Sequence, residues 1–163
     1  MAVNSKTVQG RRSLEFKTLD EIVADAQRLV AAVPDTQTLG NWSLAHLLSH
    51  LAMTVNSSID GFQVKAPFFI RLIVPFFKKG ALRNKMEPGI KLHNSAEAVA
   101  YPDSASPQIA LEQLRKAIAR TKQERMEAVH PAFGNMTHDE WVLLHLRHSE
   151  MHLSFAVSPT ANR

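Results

Sequence analysis

The chain has 163 residues, the size of one domain, and its 45% hydrophobic and 21% charged residues exclude a disordered protein. It contains no cysteine, which excludes disulfides, thiolate metal ligands and a cysteine nucleophile. The formal charge of +4 is spread along the chain and not concentrated on one element, which argues against a nucleic-acid-binding surface.

Two segments bear on the cellular location of the protein. Residues 1–17 are polar and basic and lack the apolar core of a secretory signal. The most apolar stretch, residues 66–77, is interrupted by Pro67, Arg71 and Pro75 and is too short to span a bilayer. Together with the absence of cysteine, these features predict a cytoplasmic chain with no membrane partner. The length of the chain predicts a single domain over residues 1–163.

Two helices are predicted in the first third of the chain. Thr18 and Glu21 form the Thr-x-x-Glu pattern of a capping box, and the helix that they open is stopped by Pro34. Ser43 caps a second helix that continues to Gly61. The apolar face of this second helix consists of Leu44, Leu47, Leu48, Leu51, Val55 and Ile59.

The middle of the chain gives weaker signals. Residues 66–80 are apolar and aromatic but contain two prolines, so we expect a short helix with loop ends that packs as a flap over the bundle. Residues 83–106 are rich in Gly, Pro, Asn and Ser and are expected to be mostly loop. A connection of that length usually has a function or contains a short element.

Two further helices follow. Ser106 and Pro107 begin a third long helix, which we expect to run to Val129. Thr137 and Glu140 form a capping box for a last helix, which is expected to run to about Phe155. Four long helices without a convincing strand predict an all-α fold of the bundle type.

The last helix places three of the eight histidines on its apolar side. At about 100° per residue, His145, His148 and His152 fall within an arc of roughly 60° that also contains Trp141. Arg147 and Glu150 point the opposite way. A buried imidazole must be hydrogen-bonded or ligated, because unpaired polar burial costs roughly a few kcal/mol. A single such histidine is usually a core residue, but three on one stripe favour a metal site.

His148 and His152 are four residues apart, a spacing that brings two imidazoles to one ion. A third ligand must come from another helix, and His46 and His50 on the second helix are the candidates. The leucine face of that helix is centred nearer to His50, so His50 is the one expected to point inward. Three neutral imidazoles with an open coordination position are typical of zinc-like or nickel-like sites.

Two common histidine motifs are excluded. The zincin motif requires His-Glu-x-x-His, but Ser149 follows His148. Di-iron bundles require a glutamate three residues before the histidine, where this chain has His145 and Ser149.

Three stretches resemble the DinB/YfiT-like superfamily, and more closely a branch of it known only as a domain of unknown function. They are residues 10–14 (GRRSL), residues 40–51 from Gly-Asn-Trp-Ser to His50, and residues 137–155 with the His-x-x-x-His pattern. The resemblance covers nearly the whole chain. It implies a four-helix bundle with one long crossover, a divalent metal ion, usually zinc or nickel, bound by His50, His148 and His152, and a homodimer.

The resemblance leaves some roles open. His145 is not part of the family triad and could be a residue behind the ligands, a proton shuttle or a core residue. Many relatives carry a short Gly-Gln signature after the last ligand, where this chain has Leu153, Ser154 and Phe155. This departure means that no substrate contact can be carried over at these positions.

Two classes of function are consistent with the residues. The resemblance implies a metal-dependent transferase that joins low-molecular-weight thiols to electrophiles, or a hydrolase, in which the ion lowers the pKa of a thiol or water. The alternative is a non-catalytic helical domain with a structural or vestigial metal site. The expected partner is a small molecule, with a thiol as one candidate, and no nucleic acid.

Overall fold

The computed structural model describes residues 3–63, 67–89 and 106–158. The fold is mainly helical, as the sequence predicts. Its elements, in chain order, are α1 (Leu19–Ala31), β1 (Gln37–Thr38), α2 (Leu44–Asp60), α3 (Phe68–Ile73), a 3₁₀ helix (Val74–Phe77), α4 (Lys78–Arg83), α5 (Pro107–Arg120), α6 (His138–Leu153) and β2 (Ala156–Val157).

The predicted helix starts are confirmed. The side chains of Thr18, Ser43, Ser106 and Thr137 each accept a hydrogen bond from the backbone N–H three residues later. Thr137 forms a complete capping box with Glu140. These caps satisfy N–H groups that a helix leaves without an internal partner, and each typically contributes about 1 kcal/mol. The cap residues therefore determine where the helices that carry the histidines begin.

The main core lies where α1, α2, α5 and α6 meet. α2 makes its most extensive contact with α5, and α1 packs against both α5 and α6. A second apolar cluster surrounds Trp141 on α6 and includes Leu82 of α4. The largest fully buried aliphatic side chains of the main core are Ile22, Leu29, Leu48, Leu51, Leu114, Ile118 and Leu153.

The end of α5 differs from the prediction. α5 ends at Arg120, not at Val129. The Thr121 hydroxyl donates to the Ile118 carbonyl oxygen (2.8 Å), and the chain then turns away from the helix axis. Further on, the Ala128 N–H donates to the Ser58 carbonyl oxygen on α2 (3.1 Å). No glycine or proline lies between Thr121 and Val129, so the sequence contained no stop signal for this end.

The expected flap is more helical and less buried than predicted. Residues 68–83 form α3, the 3₁₀ helix and α4 in direct succession. α4 packs against α6, and Lys78 forms a 2.8 Å ion pair with Glu140. The aromatic side chains of Phe68, Phe76 and Phe77 are exposed, so they do not pack over the bundle. Residues 84–89 are non-helical, as expected, and residues 90–105 of the predicted loop lie outside the described residues.

The face of α6 opposite the histidines is covered by the N-terminal segment. Glu150 is buried and its Oε1 accepts from the Phe16 N–H (2.7 Å) and from Arg147 (2.6 Å). Arg12 forms a two-bond ion pair with Asp25 of α1, at 2.8 and 2.6 Å, and also donates to the Leu153 carbonyl oxygen (3.1 Å). The Glu150 side of α6 is therefore buried, although it points away from the histidines.

Two short strands join the segment before α2 to the segment after α6, although no strand was predicted from the sequence. β1 and β2 are antiparallel, with Gln37 opposite Val157 and Thr38 opposite Ala156. The Leu39 N–H donates to the Phe155 carbonyl oxygen at 2.9 Å and extends the pairing. We call residues 37–39 and 155–157 the clasp. Within the described ranges, no helix has both the length and the apolar character needed to cross a bilayer.

Candidate metal centre

His50 is positioned by the start of α2. The Ser43 side chain accepts from the His46 N–H at 3.2 Å, which sets the first turn, and His50 follows one turn after His46. His50 is buried and faces α6, as the helical wheel predicts. His46 is only partly buried and is not one of the three histidines that meet.

His148 and His152 come from the second half of α6, one turn apart. Both are half-buried, whereas His50 has little exposed surface. The two histidines of α6 therefore keep some exposed surface, and His50 keeps almost none. α6 reaches this place because its capping box fixes the first turn and the N-terminal segment holds its last turn through Arg12.

The ring nitrogens of these three histidines converge. The Nε2 atoms of His50 and His148 are 3.3 Å apart, and those of His148 and His152 are 2.9 Å apart. One ligand nitrogen from each residue lies within 4.8 Å of the others. Two zinc–nitrogen bonds of about 2.0–2.1 Å at a tetrahedral angle would place their nitrogens about 3.3–3.4 Å apart. The spacing therefore fits a metal ion after small ring movements.

The protonation state of the His148 and His152 rings also favours binding of a metal cation. Burial is the main cause that holds the pKa of His148 and of His152 well below its usual value of 6.5, and the neighbouring histidines lower both further. The rings are therefore neutral at neutral pH. A neutral imidazole has a nitrogen lone pair for a metal ion, whereas an imidazolium has none.

Trp42 forms a wall of this centre. Its indole stacks on His152 at a centroid distance of 5.0 Å and on His46 at 4.8 Å, and its edge meets His50 at 5.1 Å. In the sequence, the Trp-Ser pair indicates a helix start and is part of the family resemblance, but it does not place Trp42 against the ligands. Ring contact with histidines of both α2 and α6 is a tertiary feature that no local pattern could have revealed.

Arg11 is a second residue that the sequence did not assign to the site. Its Nε donates to the Ser154 hydroxyl at 2.9 Å, and its guanidinium lies 4.4 Å from the centroid of the Phe155 ring. Its positive charge contributes to the low pKa of His152. Arg11 therefore supplies positive charge at the end of α6, close to the histidines.

His145 is a core residue and not a fourth ligand. The Ser58 hydroxyl donates to the Val55 carbonyl oxygen (2.6 Å), so the Nε2–H of His145 donates to Ser58 Oγ (3.1 Å). The ring also stacks on Trp141 at 5.5 Å. Burial, with a smaller effect from His130, lowers the pKa of His145 to about 3. Because it is enclosed and satisfied, His145 has no geometry for a proton shuttle.

This burial predicts a pH dependence of stability. Between about pH 6.5 and pH 3 the unfolded chain binds a proton at His145 and the folded chain does not, so the free energy of unfolding falls as pH falls. At pH 5 the loss from one such residue is about 2 kcal/mol. The His145→Leu variant should release about one proton fewer per chain on folding at pH 5. Urea unfolding in chelator at pH 7 and pH 5 measures this, and an unchanged pH slope in the variant would contradict it.

Comparison with known proteins gives a family but no described activity. A family described as "Protein of unknown function (DUF1569)" matches residues 8–159. No curated protein and no solved structure matches the chain. The expected relationship to a domain of unknown function is confirmed. Since the match covers most of the sequence and includes all three converging histidines, the chain belongs to the DUF1569 family of proteins of unknown function.

Proposed function

We propose that His50, His148 and His152 bind one divalent metal ion, zinc or nickel, and that this centre is the active site of a thiol transferase or a hydrolase. The observation that carries the proposal is the convergence of three imidazoles from two helices. Imidazole nitrogen suits zinc and nickel, and three histidines are a known ligand set of catalytic zinc.

The number of converging ligands supports catalysis over a purely structural role. Structural zinc sites have four protein ligands, whereas catalytic sites have three and keep a position for water or substrate. Among the described residues, the group that converges consists of these three histidines. An ion held there would lower the pKa of a thiol or water that binds beside it. The chain's own residues position and shield that molecule, with Trp42 as an aromatic wall and Arg11 as a nearby cation.

The wider assignments belong to the same proposal. α1, α2, α5 and α6 form a four-helix bundle of the DinB/YfiT-like type, with the long crossover between α2 and α5. The protein is a cytoplasmic homodimer whose substrate is a small molecule such as a low-molecular-weight thiol. The Trp-Ser start of α2 and the His-x-x-x-His pattern of α6 support this relationship.

Metal content tests the centre directly. Protein purified without an affinity tag should contain about one zinc or nickel ion per chain by mass spectrometry, and His148→Ala should contain almost none. His138→Gln is the matched control, because His138 lies at the start of the same helix and is not in the triad. If none of the three proteins retains metal after reloading, the histidines are core packing and the proposal is wrong.

Activity assays then distinguish an enzyme from the non-catalytic alternative. Metal-loaded protein should consume thiol in a panel of low-molecular-weight thiols and electrophiles, or hydrolyse a panel of activated esters and amides, and His148→Ala should not. If the protein holds metal but neither panel reacts, the non-catalytic alternative replaces the enzyme. In that case the ion joins α2 to α6 and contributes stability only.

A further inference from the structure

A surface of large apolar side chains lies along α3, the 3₁₀ helix and α4. Phe76 is 86% exposed and Phe68 74% exposed, and Phe77, Leu72 and Ile73 are each more than half exposed. The 3₁₀ helix contacts both α3 and α4, so the three short helices that carry these side chains pack together. Single exposed apolar residues are ordinary, but a cluster of this kind marks an interaction site. We call residues 68–83 the aromatic ridge.

The charged residues within the aromatic ridge are all positive. The sequence contains no aspartate or glutamate between Asp60 and Glu87. Arg71, Lys79 and Arg83 are exposed on the ridge itself. Lys78, in contrast, forms an ion pair with Glu140 and links α4 to α6. The ridge therefore combines exposed aromatic and aliphatic side chains with exposed cations on a segment anchored to the core.

We propose that the aromatic ridge binds the surface of an anionic lipid bilayer. The phenylalanines would enter the boundary between headgroups and acyl chains, and the cations would meet the lipid phosphates. Basic side chains have apolar stems that can lie along the same boundary. This contact is peripheral and needs no spanning segment, so it revises the expectation of no membrane partner without requiring a transmembrane helix.

The charges and side-chain types of the aromatic ridge disfavour two other partners, a second copy of the chain and a single-stranded nucleic acid. A second copy docked through the same surface would bring two positively charged patches together, and like charges across an interface are unfavourable. Single-stranded nucleic acid would use the aromatic rings for base stacking, but Leu72 and Ile73 offer it no stacking surface. A bilayer uses both kinds of apolar side chain together with the cations. The proposal does not depend on the metal centre.

Vesicle sedimentation with the intact protein tests the proposal. The wild-type chain should bind vesicles of phosphatidylglycerol mixed with phosphatidylcholine. The F76S/F77S variant should bind them at least about tenfold more weakly, because two inserted rings are lost. The R71E/K79E variant should lose the preference for anionic vesicles over pure phosphatidylcholine, and added salt should weaken wild-type binding. All four positions are exposed, so circular dichroism should show an unchanged fold.

A matched control removes an exposed apolar side chain from elsewhere. Val129 is 57% exposed and lies outside the aromatic ridge, so V129S should bind vesicles as the wild type does. Absence of wild-type binding to anionic vesicles would overturn the proposal. Equal binding by wild type and F76S/F77S would also overturn it. If light scattering shows a dimer that F76S/F77S dissociates, while no vesicle binds, the ridge is an interface between two copies and the lipid proposal is wrong.

Discussion

Replacing Asp25 by alanine is expected to lower the free energy of unfolding by about 3–5 kcal/mol, because it leaves the buried Arg12 guanidinium without its counter-charge. The side chains of Arg12 and Asp25 are only 6% and 2% exposed. In the variant, the Leu153 carbonyl oxygen would be the main remaining acceptor for Arg12. Urea unfolding at neutral pH measures the change.

Arg28 provides the matched control. It also pairs with Asp25, at 3.2 Å, but its side chain is 61% exposed, so Arg28→Ala should cost less than about 1 kcal/mol. A double variant, R12M/D25L, should recover most of the stability lost in Asp25→Ala, since an apolar pair needs no counter-charge. Equal costs for Asp25→Ala and Arg28→Ala would show that the buried pair is not the source of the effect.

Zinc or nickel is expected to stabilise the chelator-treated protein by about 4 kcal/mol when the free ion is at a thousand times its dissociation constant. The physical reason is that the folded chain brings together nitrogens from residues 98 positions apart, and the unfolded chain does not. Above the dissociation constant, each tenfold increase in free ion should add about 1.4 kcal/mol to the free energy of unfolding. Urea unfolding in buffered metal solutions measures this dependence.

The His148→Ala variant is the control for this linkage, and its free energy of unfolding should not rise with metal. An equal rise in both proteins would place the ion elsewhere. The metal-free wild type also tests whether folding needs the ion. If it keeps its fold and a cooperative transition, the ion is not required for folding and only adds stability to a domain that folds without it.

Local chemistry explains which parts of the fold could be predicted. Thr18, Ser43 and Thr137 mark helix starts because a cap is made within three or four residues. The inward position of His50 followed from the periodicity of α2 alone. Both kinds of signal are short-range, and both agree with the structure.

The features that the sequence missed depend on partners far away in the chain. Glu150 points away from the histidines, as the wheel indicates, yet it is buried, because Phe16 and Arg147 meet it there. After the early end of α5, the Ala128 N–H donates to the Ser58 carbonyl oxygen of α2, a contact that no local pattern predicts. The contact between Trp42 and His152 also joins residues that are far apart in the chain. Periodicity describes which way a side chain points but not what covers it.

The clasp has a kinetic consequence for an ion held between α2 and α6. His152 lies only a few residues before β2, and β1 lies a few residues before α2. Moving the end of α6 away from His50 therefore requires the backbone hydrogen bonds between the strands, and the bond from Leu39 to Phe155, to break together. Loss of an ion by separation of the two helices would therefore need a local opening of the chain. Along that route, the residence time of the ion would depend on the stability of the clasp as well as on the three nitrogens.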